Sequence, residues 1–267
     1  MRLLLTNDDG IAAEGLLAME RELRPLGEIV IVAPERQQSG VSHSLTLYRP
    51  LMVREAAHPY ARVFAVDGTP ADCVKLALVE LLDEPPDVVV SGINFGLNVA
   101  NNILYSGTLA GALEGALYGH PSFAVSLEAG PDPRWSVAAR IARRIIETIL
   151  PKHKGRPGVF NINIPARPAA SIKGTVVTRQ EGLAWQDAFD RREDPRGRTY
   201  YWLKGTPERN YKKRPVTENG HFHTDAYAVR NGYVSVTPLH RDLTNHHVLA
   251  DLGKLSKRFP VRRQKPR

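Results

Sequence analysis

Cysteine is almost missing from this chain: Cys73 is the single one in 267 residues. One thiol cannot close an internal disulfide, and it cannot build a cysteine-based zinc site. Long apolar runs are missing as well; no stretch approaches the roughly 18 residues of a membrane span. The opening "MRLLLTNDD" meets acid too soon for the apolar core of a signal peptide. Together these lead to the expectation of a cytoplasmic location. Two catalytic signatures are also lacking. Without a Gly-x-Ser-x-Gly elbow a serine-hydrolase triad is not expected. The first turn reads "NDDGIAAEG" in place of Gly-x-Gly-x-x-Gly, and its acids would repel a pyrophosphate, which argues against a dinucleotide dehydrogenase. The chain has no internal repeat and no low-complexity segment.

What is present begins with an uneven charge. Residues 1–150 carry 12 Lys+Arg against 18 Asp+Glu, and residues 151–267 carry 24 against 10, which gives −6 and +14. A basic half can attract phosphate-bearing partners. With no nucleic-acid motif and no basic–aromatic interleaving, a solvated surface with a basic tail, "KRFPVRRQKPR", is the simpler reading, and no stable nucleic-acid partner is expected.

The first half alternates two periods. "RLLLTN", "EIVIVAP", "LMVRE", "RVFAVDG", "DVVVSG", "SFAVSLE" and "VFNINIP" read as strands. "AEGLLAMERELRPLG", "TPADCVKLALVELL", "GTLAGALEGALYG" and "RWSVAARIARRIIETIL" read as helices. The second helix has a legible start, with Thr69 as N-cap, Pro70 at N1 and Asp72 in the capping-box position. This alternation predicts an α/β fold: a doubly wound, mostly parallel Rossmann-like sheet. The expected division is a catalytic core over 1–170 and an arm, hairpin and tail over 171–267 used in oligomerisation. Within the second part, "DAYAVRNGYVSVTPL" reads as a β-hairpin turning at Asn231-Gly232.

Three constellations lie just beyond predicted strands, where open α/β sheets bind ligands. Asp8 and Asp9 follow the first strand. Adjacent side chains in a strand face opposite ways, so both acids can serve one site only if the chain has already turned, as Gly10 permits. Two close carboxylates call for a cation between them; the competing reading is a simple cap on the following helix. The loop "QQSGVSHSL" offers Ser39, Gly40, Ser42, His43 and Ser44 for metal or phosphate, or is an ordinary turn-rich loop. "SGINFGLNVANNILYSGTLAGALEG" crowds Asn94, Asn98, Asn101 and Asn102 ahead of Ser106-Gly107-Thr108, a helix start suited to an anion or merely capped. Gly107, Gly111, Gly115 and Gly119 recur every four residues, which suggests a helix face packed close to the sheet. His221, His223 and Asp225 alternate in "HFHTD" but read as surface or hairpin residues, and His246-His247 has no ligand spacing. An all-oxygen site of Asp, Ser and Asn prefers Mg²⁺ or Mn²⁺ to Zn²⁺. Beside a helix N-terminus it suits phosphoryl hydrolysis, in which a cation polarises the phosphate and activates water.

"LLLTNDDGIAAEGL", "VAPERQQSGVSHSLT", "VDGTPADCVKLAL" and "VSGINFGLNVANNILYSGTLAGALEG" resemble the SurE family of survival-protein nucleotidases over about residues 1–128, and "TDAYAVRNGYVSVTPL" resembles its C-terminal hairpin. The resemblance implies a 5′/3′-nucleotidase, a phosphoric monoester hydrolase linked to stationary-phase survival that also trims short polyphosphate. It implies one divalent ion, Mg²⁺ or Mn²⁺, per subunit on Asp8, Asp9, Ser39 and Asn94. Asp8 and Asp9 are then the catalytic pair, and Asn98, Ser106, Gly107 and Thr108 the phosphate or substrate contacts. It also implies homodimers or homotetramers. Residues 180–215 match no motif.

Rival readings share parts of the pattern. A receiver-like Mg²⁺-binding signalling module also carries an acidic pair, and Asp67 resembles its phospho-acceptor. However, no Lys follows "SFAVSLE", and the chain is about twice too long. A haloacid-dehalogenase-type phosphatase needs Asp-x-Asp, whereas these aspartates adjoin.

Overall fold

The computed structural model describes residues 1–153, 157–182, 185–207 and 223–253. His221 and the basic tail "KRFPVRRQKPR" lie outside them. The apolar runs of the first half become seven strands: β1 (Arg2–Thr6), β2 (Glu28–Pro34), β3 (Val53–Ala56), β4 (Arg62–Val66), β5 (Val88–Phe95), β6 (Pro121–Leu127) and β7 (Gly158–Ile164). Between them run α1 (Glu14–Leu23), α2 (Pro70–Leu76), α3 (Gly107–Leu117) and α4 (Trp135–His153). The later chain adds β8 (Thr175–Arg179), β9 (Trp185–Glu193), β10 (Thr199–Pro207), β11 (His223–Thr224), α5 (Asp225–Arg230), β12 (Val234–Leu239) and α6 (His246–Leu252).

Ten strands form one sheet in the order β11-β8-β12-β7-β6-β5-β1-β2-β4-β3. Its ladders are parallel except β3–β4 and β7–β12. The sheet therefore continues past residue 170: β8, β11 and β12 extend it, and Val234 and Val236 of β12 join its apolar core. β9 and β10 pair separately as an antiparallel hairpin.

Alternating side chains sort the helices. Leu3 and Leu5 of β1 pack with Leu16, Met19 and Leu23 of α1 and with Ala138, Ala142 and Ile146 of α4. Leu4, between them, faces the opposite layer with Cys73 and Val74 of α2. Leu109 and Ala112 of α3 cover Ala124 and Val159 on that second face. Strands buried on both faces explain the unbroken apolar runs.

The expected cap of α2 is formed in full: Thr69 accepts the Asp72 N–H and Asp72 accepts the Thr69 N–H. The expected hairpin at Asn231-Gly232 is not. Asp225–Arg230 is a helix, and the dipeptide closes it: Gly232 N–H donates to the Val229 carbonyl and Tyr233 N–H to the Ala228 carbonyl. Those two bonds define a Schellman cap, and Gly232 sits at φ +86°, where a residue without Cβ is favoured. The glycine row on α3 splits by cause. A Cβ on Gly111 would meet Thr6 and Ser91 at 2.8–3.0 Å, and one on Gly115 would meet Val89 and Ser122 at 2.7 Å. These glycines let α3 lie on the sheet. Gly119 faces open space at φ +93° and caps the helix end instead.

Candidate metal and phosphate site

β1 ends at Thr6, so Asn7, Asp8 and Asp9 lie beyond the strand. Asn7 closes the turn by donating its side-chain amide to the Gly10 carbonyl at 2.8 Å, and Gly10 takes φ +99°. Neither aspartate caps α1, whose N-cap is Ala13 with no side-chain bond. Their side chains turn elsewhere. Asp8, 5% exposed, receives the Thr108 hydroxyl at 2.7 Å at the start of α3. Asp9 receives the Phe95 N–H at 3.0 Å at the end of β5.

Both carboxyls are held above their ordinary pKa, chiefly by burial. Burial pushes the Asp8 carboxyl up from the ordinary 3.8 to about 6; the Thr108 hydroxyl and N–H pull it down, and the Asp9 charge adds to the rise. Burial also raises Asp9, against the lowering effect of the Phe95 N–H.

The other two expected ligands arrive on separate segments, Ser39 on a loop and Asn94 on a strand. Ser39 sits on the segment after β2, which is held to the aspartates by the Gln38 N–H on the Asp8 carbonyl at 2.7 Å. Gln37 donates its amide to Ser39 Oγ at 2.9 Å and lies 3.5 Å from Asp9 Oδ1. Asn94 lies at the end of β5, where the register against β6 shifts after Ser91. Its amide nitrogen donates to the Gly96 carbonyl at 2.8 Å, so the amide oxygen is the end of this side chain suited to a cation. Two raised carboxyls, a hydroxyl and an amide oxygen make a hard, anionic donor set, so the residues present fit a divalent cation. Among the described residues no group of three His, Cys, Asp or Glu offers a rival centre. His223 stacks on Tyr227, and the exposed His246 pairs with Asp242.

The four expected phosphate contacts separate into two tiers. Ser106 is the N-cap of α3, its Oγ accepting the Leu109 N–H at 3.1 Å. Gly107 follows at the first turn, where backbone N–H groups have no intrahelical acceptor. A Cβ on Gly107 would stand 2.8 Å from Asp8 Cβ, so this glycine sets how closely the acid approaches the helix end. Thr108 and Asn98 lie behind them. Thr108 spends its hydrogen on Asp8 and accepts from Asn98 Nδ2 at 3.1 Å; the same Asn98 nitrogen donates to Ser126 Oγ at 2.8 Å. Asn98 therefore has both amide hydrogens engaged internally. Its backbone is fixed in turn by Asn163 and Asn161 of β7.

Two supporting residues, Glu114 and Asp225, carry too little sequence signal for these roles to be expected. Glu114 on α3, 3% exposed, binds Lys75 Nζ at 2.6 Å and His43 Nε2 at 2.7 Å. Burial opposes its charge, but His43 and Lys75 prevail and hold the carboxyl below its usual value. His43 lies four residues beyond Ser39, so this cluster anchors the loop, as do Ser42 on the Leu104 and Tyr105 carbonyls and Thr46 on Asp72. Asp225, read from the sequence as a surface or hairpin residue, is instead fully buried at the start of α5; it accepts N–H groups from Ala100 and Glu181 and so ties the Asn-rich loop to β8 and α5. The lone signal was a charged residue in an apolar helix for Glu114 and an acid at a helix start for Asp225. Asp67, the residue a receiver would phosphorylate, is exposed and paired with Arg49.

Comparison with known proteins places relatives beside this chain. Residues 3–187 match the family described as "Survival protein SurE". The chain is 43% identical over 259 residues to the "5'-nucleotidase SurE" of Pelotomaculum thermopropionicum, covering 96% of each chain. It is 44% identical over 255 residues to the protein of the same name from Moorella thermoacetica, covering 95% of each. The SurE protein of Aquifex aeolicus, a solved structure, superposes with a TM-score of 0.80 at 40% identity, over 96% of this chain and 100% of that one.

Proposed function

Because the chain belongs to the SurE family, we propose that it is a metal-dependent phosphatase that hydrolyses nucleoside 5′- and 3′-monophosphates to nucleoside and phosphate. The observation that carries this is the meeting of Asp8 with the first turn of α3, which puts a cation site and an anion site side by side. Asp8, Asp9, Ser39 Oγ and Asn94 Oδ1 would hold one divalent ion, Mg²⁺ or Mn²⁺. When bound, the ion supplies Lewis-acid polarisation of the phosphoryl oxygens and offsets their charge.

The chain's own groups do the rest. Gly107 N–H, with the positive end of α3 behind it, binds a phosphate oxygen. Ser106 accepts from Leu109 and keeps its own hydrogen to donate to a second oxygen. Thr108 and Asn98 are positioning residues that hold Asp8. Water attacks phosphorus and the ester P–O bond breaks; Asp9, whose Oδ1 meets only the distant Gln37 amide among the described residues, takes the water proton, and the nucleoside oxygen is protonated from solvent. Short polyphosphate fits the same cradle, whose contacts are to phosphate oxygens alone. A cytoplasmic site of action is part of this reading. A homodimer or homotetramer is part of the reading, supported by exposed Phe189, Tyr201, Trp202 and Leu203 on the β9–β10 hairpin.

The test is phosphate release from AMP and GMP with Mg²⁺, with Mn²⁺ and in EDTA. Turnover should need the metal and stop in EDTA; persistence in EDTA would overturn the metal-dependent reading. A receiver would release no phosphate from either substrate, with or without metal.

A further inference from the structure

The groups above account for the phosphate and leave the rest of a nucleotide unheld. The two aspartates diverge across the sheet edge. Asp8 points to α3 on one face, and Asp9 is bound by Phe95, whose ring packs on Trp135 at the start of α4 on the other face. Phe95 is 45% exposed although it directly follows Asn94 at the heart of the site. Its ring lies 5.8 Å from that of Trp135 at 55°, and Trp135 is fixed by donating its indole N–H to Glu14 at 2.9 Å. The backbone beneath is equally fixed, by Asn94 on the Gly96 carbonyl and by Gly96 N–H on the Leu127 carbonyl. An exposed aromatic ring held rigid from below and behind is a surface for stacking.

We propose that Phe95 is the platform on which the nucleobase stacks, so that a nucleotide lies across the sheet edge with its phosphate at α3 and its base against Phe95. This deepens the nucleotidase reading and rests on it. Stacking uses a π-face that every base has, so the platform favours nucleotides over other phosphate esters without choosing among bases. Phe95 is a specificity determinant with no part in the bond-breaking step.

The test compares kcat/KM for AMP, GMP and CMP with kcat/KM for ribose 5-phosphate in the wild type, Phe95→Ala and Phe95→Trp. The preference for each nucleotide over ribose 5-phosphate should fall about tenfold or more in Phe95→Ala, mainly through KM, and return in Phe95→Trp. A ratio does not depend on how much of the variant folds. Wild-type hydrolysis of AMP with an unmoved ratio in Phe95→Ala overturns the stacking assignment alone. Absence of wild-type hydrolysis of AMP overturns the nucleotidase reading and this one with it.

Discussion

Replacing Asp8 by Asn should make the metal-free protein more stable while abolishing its chemistry. The folded state binds the Asp8 proton more tightly than the unfolded chain, about 6 against 3.8. Stability therefore falls as pH rises through that interval, because the native carboxylate ionises in a buried place. The whole gap is worth about 3 kcal/mol, fully felt above pH 6 and absent below pH 4. Asparagine cannot ionise, and its oxygen can still accept the Thr108 hydroxyl. In EDTA at pH 7.5 the variant should melt about 6 °C above the wild type, at about 2 °C per kcal/mol for a chain of this length. At pH 4 the two should coincide. Added Mn²⁺ should close most of that gap: at a hundred times its Kd it stabilises the wild type by about 2.7 kcal/mol, and the variant, short of one proposed ligand, by far less. Thermal melts at two pH values with and without metal, with AMP turnover measured alongside, decide it. A variant that melts at or below the wild type in EDTA at pH 7.5, or keeps its advantage at pH 4, would refute the claim that Asp8 is a charge the fold holds at a cost.

Other expectations follow from the same geometry. Metal affinity, measured by calorimetry, should weaken about tenfold per pH unit below about 6, where a proton competes for Asp8. Gly107→Ala puts a methyl 2.8 Å from Asp8 Cβ, so turnover should drop at least tenfold with little loss of secondary structure by circular dichroism. Glu114→Gln leaves Lys75 and His43 without their shared carboxylate; it should cost about 1–3 kcal/mol in urea unfolding and weaken metal binding through the Ser39 loop. Gly232→Ala should destabilise by about 1 kcal/mol, since it forces φ +86° on an alanine and crowds Arg167; a hairpin turn elsewhere in the segment would make it neutral.

The sheet was legible because its information is local. Runs such as "EIVIVAP" and caps such as Thr69-Pro70-Asp72 carry their structure within a few residues. Asn231-Gly232 shows where locality fails: the dipeptide supplies a positive φ, which a hairpin turn and a helix end both require, and the six residues ahead of it are too few to display a helical period. The site was legible in its residue types but not in their ranks. Asn98 and Ser106 look alike as polar residues before a helix. What sends Asn98 inward is Ser126 and Asn163, 28 and 65 residues further along the chain. Likewise, nothing near Glu114 in sequence reveals that His43 and Lys75 converge on it.

The chain of contacts behind Asp8 has a consequence for biosynthesis. Asp8 is held by Thr108, Thr108 by Asn98, and Asn98 by Asn163 of β7. The first of the proposed ligands to leave the ribosome thus waits for a strand made more than half a chain later. A nascent chain stalled before β7 has all four proposed oxygen donors but no rigid arrangement of them. A divalent ion can then reward a finished fold without recruiting an unfinished one, which spares the emerging acidic half from being trapped around metal in the wrong shape.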